Sequence, residues 1–337
     1  MLPLRPAILL LTLMHLDSPM AAQTRVRLAT LAPKGSSFHQ ILQSMGEKWR
    51  QAPGGGVALT IYTDGTMGSE ADMVRRMRVG QLHAAMLTAG GLAEIDKSVT
   101  ALQTMPMMFR SLAEVDIAQE KLRPDLERRL LDKGFVVLFW GDAGWVRFFS
   151  KEPVIRPADL KKHKVFTGAG DNDQLEIWKA AGYQPIPLET NDMLSGLQTG
   201  LVSAVPTIPV HANAGQLYGP AKHMLELNWA PLVGATVIAL KQWDALPAET
   251  REAMQKAARE AGEQIKTRSR TEGDEAVAAM RKRGLIVHPV TPEVEAEWRK
   301  VAENVWPQIR GRLVPADMFD QVRRILDEYR AAAKAKQ

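Results

Sequence analysis

Residues 248–282 keep a helical apolar pattern without a single internal proline, opened by Leu246-Pro247-Ala248-Glu249. The mean helix of a globular protein is about 11–12 residues long. A single compact domain has little use for a helix so far beyond that length, whereas a helix bracing two domains does. The 337 residues suit two domains of ordinary size. A chain this long can also bury a substantial core without covalent staples, and it contains no cysteine to make any.

Around this helix the pattern is mixed α/β. Val26-Arg27-Leu28-Ala29-Thr30 alternates as a strand does. Ala32-Pro33-Lys34-Gly35-Ser36-Ser37 reads as a loop in which Ser36 or Ser37 caps an amphipathic helix over 38–49. Pro53-Gly54-Gly55-Gly56 turns the chain into a strand over 57–62. A helix starting near Ser69 is expected to carry Met73, Val74, Met77 and Val79 towards the core, and a strand over 84–88 follows Gly80. Phe135-Val136-Val137-Leu138-Phe139-Trp140 is an uninterrupted apolar run, the mark of a strand buried on both faces. A second α/β unit follows: strand 164–167, helix 173–181, strand 183–186 and helix 192–199. The β-branched run 233–240 crosses back to the first unit, and the Ala/Lys-rich tail 331–337 frays. Strands alternating with helices imply mostly parallel sheet with helices on its faces.

Residues 1–23 have the layout of a secretory signal peptide: Arg5, the apolar run 7–14, then Ala21-Ala22. The apolar run is much shorter than the roughly 20 residues of a membrane-spanning helix. The expected mature protein is exported, soluble and starts near Gln23. The formal charge of +5 survives loss of the leader, because Arg5 and Asp17 cancel. Basic pairs such as Arg75-Arg76 and Arg128-Arg129 are interleaved with acids on helix faces, and no basic stripe or reader motif for nucleic acid is present. Enzyme signatures are missing: no His-Glu-x-x-His, Gly-x-Ser-x-Gly or P-loop, and no thiol. His163, His211, His223 and His288 have no metal-ligand spacing, and Gly168-x-Gly170 lacks the rest of a dinucleotide fingerprint. The chain is thus expected to be no enzyme and to carry no cofactor.

Several segments carry a resemblance through their order and spacing. They are Leu31-Ala32-Pro33-Lys34-Gly35-Ser36, Tyr62-Thr63-Asp64-Gly65-Thr66-Met67-Gly68-Ser69-Glu70, Met77-Arg78-Val79-Gly80-Gln81-Leu82 and Met105-Pro106-Met107-Met108-Phe109-Arg110. Asp159-Leu160-Lys161, Leu197-Gln198-Thr199-Gly200 and Trp243-Asp244-Ala245-Leu246-Pro247 follow. From Val26 to about Tyr329 the chain resembles the solute-binding subunit of TRAP (tripartite ATP-independent periplasmic) transporters, the DctP family. The resemblance implies a two-domain periplasmic-binding-protein clamshell with mixed sheets, hinge strands and a long helix spanning both domains. It implies a ligand held in the interdomain cleft, a periplasmic location, and delivery to a membrane permease with no bond made or broken. On that plan domain I takes 24–146 plus about 233–260, and domain II takes 147–232 plus about 284–330.

The departures from the family pattern bear on the ligand. The family's Asp-Leu-Lys segment ends in an Arg that clamps a substrate carboxylate; here Phe166 stands in that place. The family's second contact, an Asn, falls near Thr207. Phe cannot replace a bidentate Arg–carboxylate contact. Candidate ligand-binding residues are Glu70, Trp145, Arg147, Phe166, Asp171, Thr207 and Trp229. Trp145 and Trp229 are expected at strand ends or in loops, while Trp140 could face the cleft or the core. Aromatic rings beside carboxylates suit an apolar or aromatic ligand with at most one anionic group, or an amine held by cation–π contacts. The alternatives are an organic acid anchored by Arg147, or a ligand sensor partnering a membrane kinase. Arg147 could instead pair with Asp142 or Asp171.

Overall fold

The computed structural model describes residues 24–169 and 172–335. The expected leader, 1–23, lies outside the described residues. The first lobe takes, in chain order, β1 (Thr24–Thr30), α1 (Ser37–Arg50), β2 (Val57–Tyr62), α2 (Glu70–Arg78), β3 (Ala84–Thr88), α3 (Ala89–Ala93) and α4 (Leu112–Asp132). β4 (Phe135–Ser150) leads into the second lobe, which holds α5 (Pro157–Leu160), β5 (Lys164–Gly168), α6 (Asn172–Ala180), β6 (Gln184–Leu188), α7 (Met193–Thr199), β7 (Ala204–Thr207) and α8 (Pro209–Ala214). β8 (His223–Ala239) returns, followed by α9 (Leu240–Asp244), α10 (Ala248–Arg281), β9 (Ile286–His288), α11 (Pro292–Ile309) and α12 (Ala316–Lys334).

The strands form one sheet in the order β2-β1-β3-β8-β4-β7-β5-β6, with β9 beside β8. Each wing is parallel, as alternating strands and helices require: β1 with β2 and β3, β5 with β6 and β7. Between the wings β4 and β8 pair antiparallel from Phe135↔Ala239 to Ser150↔His223. The apolar runs 135–140 and 233–240 are thus only the first-lobe halves of strands of 16 and 17 residues. Register shifts at Val137/Phe139, Asp142/Trp145 and Val146/Phe148 break the period-two pattern that would have shown the full length. Trp145 and Trp229 consequently lie inside β4 and β8, not in loops.

Local chemistry sets the helix starts. The Ser36 side chain accepts from the His39 N–H ahead of α1, and Ser69 and Asp72 form a reciprocal capping box at α2. Met73, Val74 and Met77 are buried, but Val79, expected in the core, is 70% exposed. It is the cap residue after Arg78, where the apolar stripe has already ended. α10 serves both lobes: Met254, Ala258 and Ile265 pack with Val26, Leu42 and Trp49, while Val277 and Met280 pack with Phe149 and Met224. The stretch 284–330, expected together in the second lobe, divides. Trp298 of α11 packs with Phe148 and Val165, whereas Phe319 and Val322 of α12 pack with Leu122 and Leu126 of α4. The chain reverses between these helices at Gly311, whose φ of 88° suits a residue without a side chain.

Gly234 tests the central pairing, because a Cβ there would lie 2.2 Å from the Leu87 carbonyl oxygen on β3. Gly234→Ala should cost about 1–3 kcal/mol through overpacking, read as a lower urea midpoint. Gly273→Ala in α10, where a Cβ meets nothing within 4 Å, should instead raise stability by about 0.5–1 kcal/mol.

Candidate functional site

The carboxyl ends of β1, β3, β5 and β7 open on a cavity of about 670 Å³, lined there by Thr30, Thr88, Gly168 and Thr207. Ligands of open α/β sheets bind beyond the carboxyl ends of the strands. The hinge strands contribute Gly141, Asp142, Val146 and Leu232 to the same wall. The cavity therefore lies between the lobes and against the strands that join them.

Glu70 stands in the first turn of α2 and lines the cavity. Its Oε1 accepts the Thr88 N–H at 2.6 Å, and its Oε2 accepts the Thr88 hydroxyl at 2.6 Å. Gly91 permits this approach: a Cβ there would sit 2.7 Å from that of Glu70. Burial is the largest influence on Glu70 and raises its pKa, outweighing the hydrogen bonds from Thr88 and Gly91. Across the cleft, His211 Nδ1 lies 3.2 Å from the Thr207 hydroxyl. Burial lowers the His211 pKa and favours the neutral imidazole. Phe166 lines the cavity on one side and packs with Phe149, Met193 and Leu197 on the other.

Asp142 is buried, and its Oδ2 accepts from Arg270 at 3.0 Å while its Oδ1 has no hydrogen-bond partner. Arg270 also grips Asp116 of α4 through two hydrogen bonds of 2.7 and 3.0 Å. This charge network links α10, α4 and β4 behind the cavity. Among the described lining residues no arginine occurs; Lys97 and His211 are the basic ones, facing Glu70, Glu94, Asp142 and Glu189. No group of three or more His, Asp and Glu among the described residues is placed to hold a metal ion.

The structure brings together Glu70, Phe166 and Thr207 but separates the other candidates. Val146 lines the cavity, but its strand neighbours Trp145 and Arg147 are not among the lining residues. Trp145 packs on the first-lobe core. Arg147 is mostly buried, 3.9 Å from Glu226, and does not pair with Asp142, which Arg270 already occupies. Trp229 lines a smaller adjoining cavity of about 230 Å³. Trp140 takes its core alternative, its Nε1 donating to Glu127 at 3.0 Å. Asp171 lies outside the described residues. Thr88, Gln103 and His211 went unrecognised in the sequence. Thr88 ends a strand and His211 follows the exit of β7, so a strand-end rule would have found both.

The two titrating groups give opposite pH dependences. The folded protein holds the Glu70 proton more tightly than the unfolded chain, whose carboxyl titrates near 4.5. Its stabilising contribution is complete below that pH and is lost as pH rises through the folded value. Tm of the native protein should therefore fall relative to Glu70→Gln as pH rises from 4.5. His211 has a lowered folded pKa, so its contribution is present above 6.5 and lost as pH falls through the folded value. Thermal melts of His211→Asn should show a weaker acid-side loss than the native protein.

Comparison with known proteins agrees with this architecture. The sequence profile of DctP, the bacterial extracellular solute-binding protein family 7, matches residues 28–311. The 2,3-diketo-L-gulonate-binding periplasmic protein of Escherichia coli is 27% identical over 252 residues, covering 73% of this chain and 74% of that protein. A TRAP periplasmic solute-binding protein of Shewanella oneidensis, solved with bound succinate, superposes with a TM-score of 0.83 at 16% identity, covering 90% of this chain and 100% of that one. One of Ralstonia eutropha, solved with bound (S)-2-acetolactate, has a TM-score of 0.83 at 18% identity, covering 91% and 100%. The chain belongs to the DctP family of bacterial extracellular solute-binding proteins.

Proposed function

We propose that this receptor closes on an aromatic or otherwise apolar ligand with at most one anionic group and delivers it to a TRAP membrane permease. The observation that carries the proposal is Phe166 on the cleft wall, with no arginine among the described lining residues. A buried carboxylate needs a paired, hydrogen-bonded cation, and a guanidinium is the best fit to it. Leu31, Phe139, Val146, Phe166 and Leu232 offer apolar surface instead, while the hydroxyls of Thr30, Thr88 and Thr207 supply a few orienting contacts. Glu70 lines the same wall with both carboxyl oxygens accepting from Thr88.

The exported location fits the leader-like residues 1–23 and the family. No helix among the described residues is long and apolar enough to cross a membrane.

A second reading is an ordinary organic acid. It is favoured by the carboxylates that relatives bind: diketogulonate in one case, succinate and acetolactate in two others. Arg147 does not line the cavity, so Lys97 or His211 would have to anchor such an acid.

A thermal-shift panel separates the two. A ligand at 100 times its Kd adds about 2.7 kcal/mol of stability. Aromatic, apolar or cationic compounds should raise Tm of the native protein, and aliphatic dicarboxylates and keto acids should not. Phe166→Arg should reverse that order in a folded protein. Shifts of the native protein with aliphatic carboxylates alone would establish the organic-acid reading in its place.

A further inference from the structure

The smaller cavity differs in kind from the cleft it adjoins. The two share the wall formed by Gln103, Thr104, Val146, Phe166, Gly168 and Pro206, so one continues into the other. Acidic and basic side chains line the main cavity, but no charged residue is among the described residues lining the smaller one. Its walls are aromatic and branched: Trp178, Tyr183, Trp229, Ile177, Val301 and Val305.

The aromatic wall is built as a unit. Trp178 meets Tyr183 edge-on with centroids 5.0 Å apart and meets Trp229 at 6.1 Å. Trp229 in turn packs on Phe148 at 5.4 Å and edge-on against Trp298 at 5.7 Å. Ring pairs at such distances hold one another beyond the burial of their area. The Trp229 carbonyl accepts the Met107 N–H at 2.7 Å, and the Met107 carbonyl accepts from Arg299 at 3.0 Å. These bonds tie the first-lobe turn to β8 and α11 around the cavity. The Tyr183 hydroxyl is buried without a hydrogen-bond partner. Burial pushes its pKa up to about 12, so it remains a neutral donor. At about 230 Å³ the space exceeds the roughly 150 Å³ of a dry apolar cavity that admits benzene.

We infer that this side cavity is a second subsite, which takes an aromatic or branched apolar tail of a ligand whose polar end lies in the main cleft. The inference rests on the proposed reading of the cleft and adds to it: the ligand has two ends, with Phe166 bordering both compartments. An uncharged wall favours a tail without charge, since a buried charge there would find no partner. A ring against Trp178 and Trp229 recovers stacking that aliphatic acids of a few carbons cannot.

The test uses the full mature chain and two probes, phenylacetate and 5-phenylpentanoate, each with one anionic group. Calorimetry should give a Kd about tenfold or more lower for the longer probe, as burial of its ring predicts. Filling the side cavity with Ala181→Phe, or with Val301→Phe if the first variant melts early, should collapse that ratio towards one. A para-bromo derivative of the longer probe should quench tryptophan emission in the native protein and much less in Trp178→Phe. If the ratio persists in the filled variants, the side cavity is not the subsite, even though the cleft accepts apolar ligands. If neither aromatic probe binds while aliphatic carboxylates do, the reading of the main cleft itself falls, and the subsite falls with it.

Discussion

Everything in this receptor hangs on the antiparallel pair β4–β8. The two strands run side by side through both lobes, from Phe135↔Ala239 to Ser150↔His223, and each lobe adds its parallel wing to one edge of the pair. Ladder hydrogen bonds fix the strands laterally, whereas bulges bend and twist them. Two of the register shifts, at Asp142/Trp145 and Val146/Phe148, fall beside the cavity-lining residues Asp142, Ala143 and Val146. The irregular part of the connection is therefore the part that lines the cavity. α10 braces the pair from behind, packing into the cores of both lobes.

The charge network behind the cavity follows from the same placement. Asp142 sits on the hinge strand with little contact with water, so its charge needs a partner close by. Arg270 supplies it from α10 and simultaneously holds Asp116 on α4, where Lys266 adds a contact at 2.9 Å. Burial works against the Asp116 charge, yet the hydrogen bonds from Arg270 and Lys266 keep its pKa below the usual value. The strongest guanidinium–carboxylate cluster near the cleft is thus consumed by structure. What remains facing the cavity is a wall of hydroxyls and apolar side chains with Glu70, Glu94, Glu189, Lys97 and His211 among them, and no arginine among the described lining residues. The adjoining aromatic compartment carries no charge at all among its described residues.

The sequence was legible where a local signal and the tertiary environment agree. The proline-free stretch before Lys282 appears as α10, Ser36 caps α1 as expected, α2 starts next to Ser69, and the parallel wings follow the alternation of strands and helices. It was illegible where bulges interrupt alternation. β4 and β8 looked like short strands with tryptophans in the loops beyond them, and that placement made Trp145 and Arg147 look exposed to the cleft. Inside a strand a shift of one residue exchanges faces, and Val146, not Trp145 or Arg147, is the residue that lines the cavity. α12 was misplaced for a different reason. Its apolar stripe fits any core of suitable shape, and only the reversal at Gly311 directs it onto α4.

By itself the sequence determined the class of this protein. Helix length and the alternating α/β pattern pointed to two braced α/β domains, and the motifs resembling the DctP family implied the receptor. Phe166 in the place where the family resemblance implies an arginine was also visible in the sequence. Tertiary structure alone decided which side chains share the cleft. Glu70 meets Thr88 across 18 residues, and Trp178 meets Trp229 across half the second lobe. Such contacts depend on strand register and on the hinge bulges, and register is set by the packing of the whole sheet and not by any one segment of the chain.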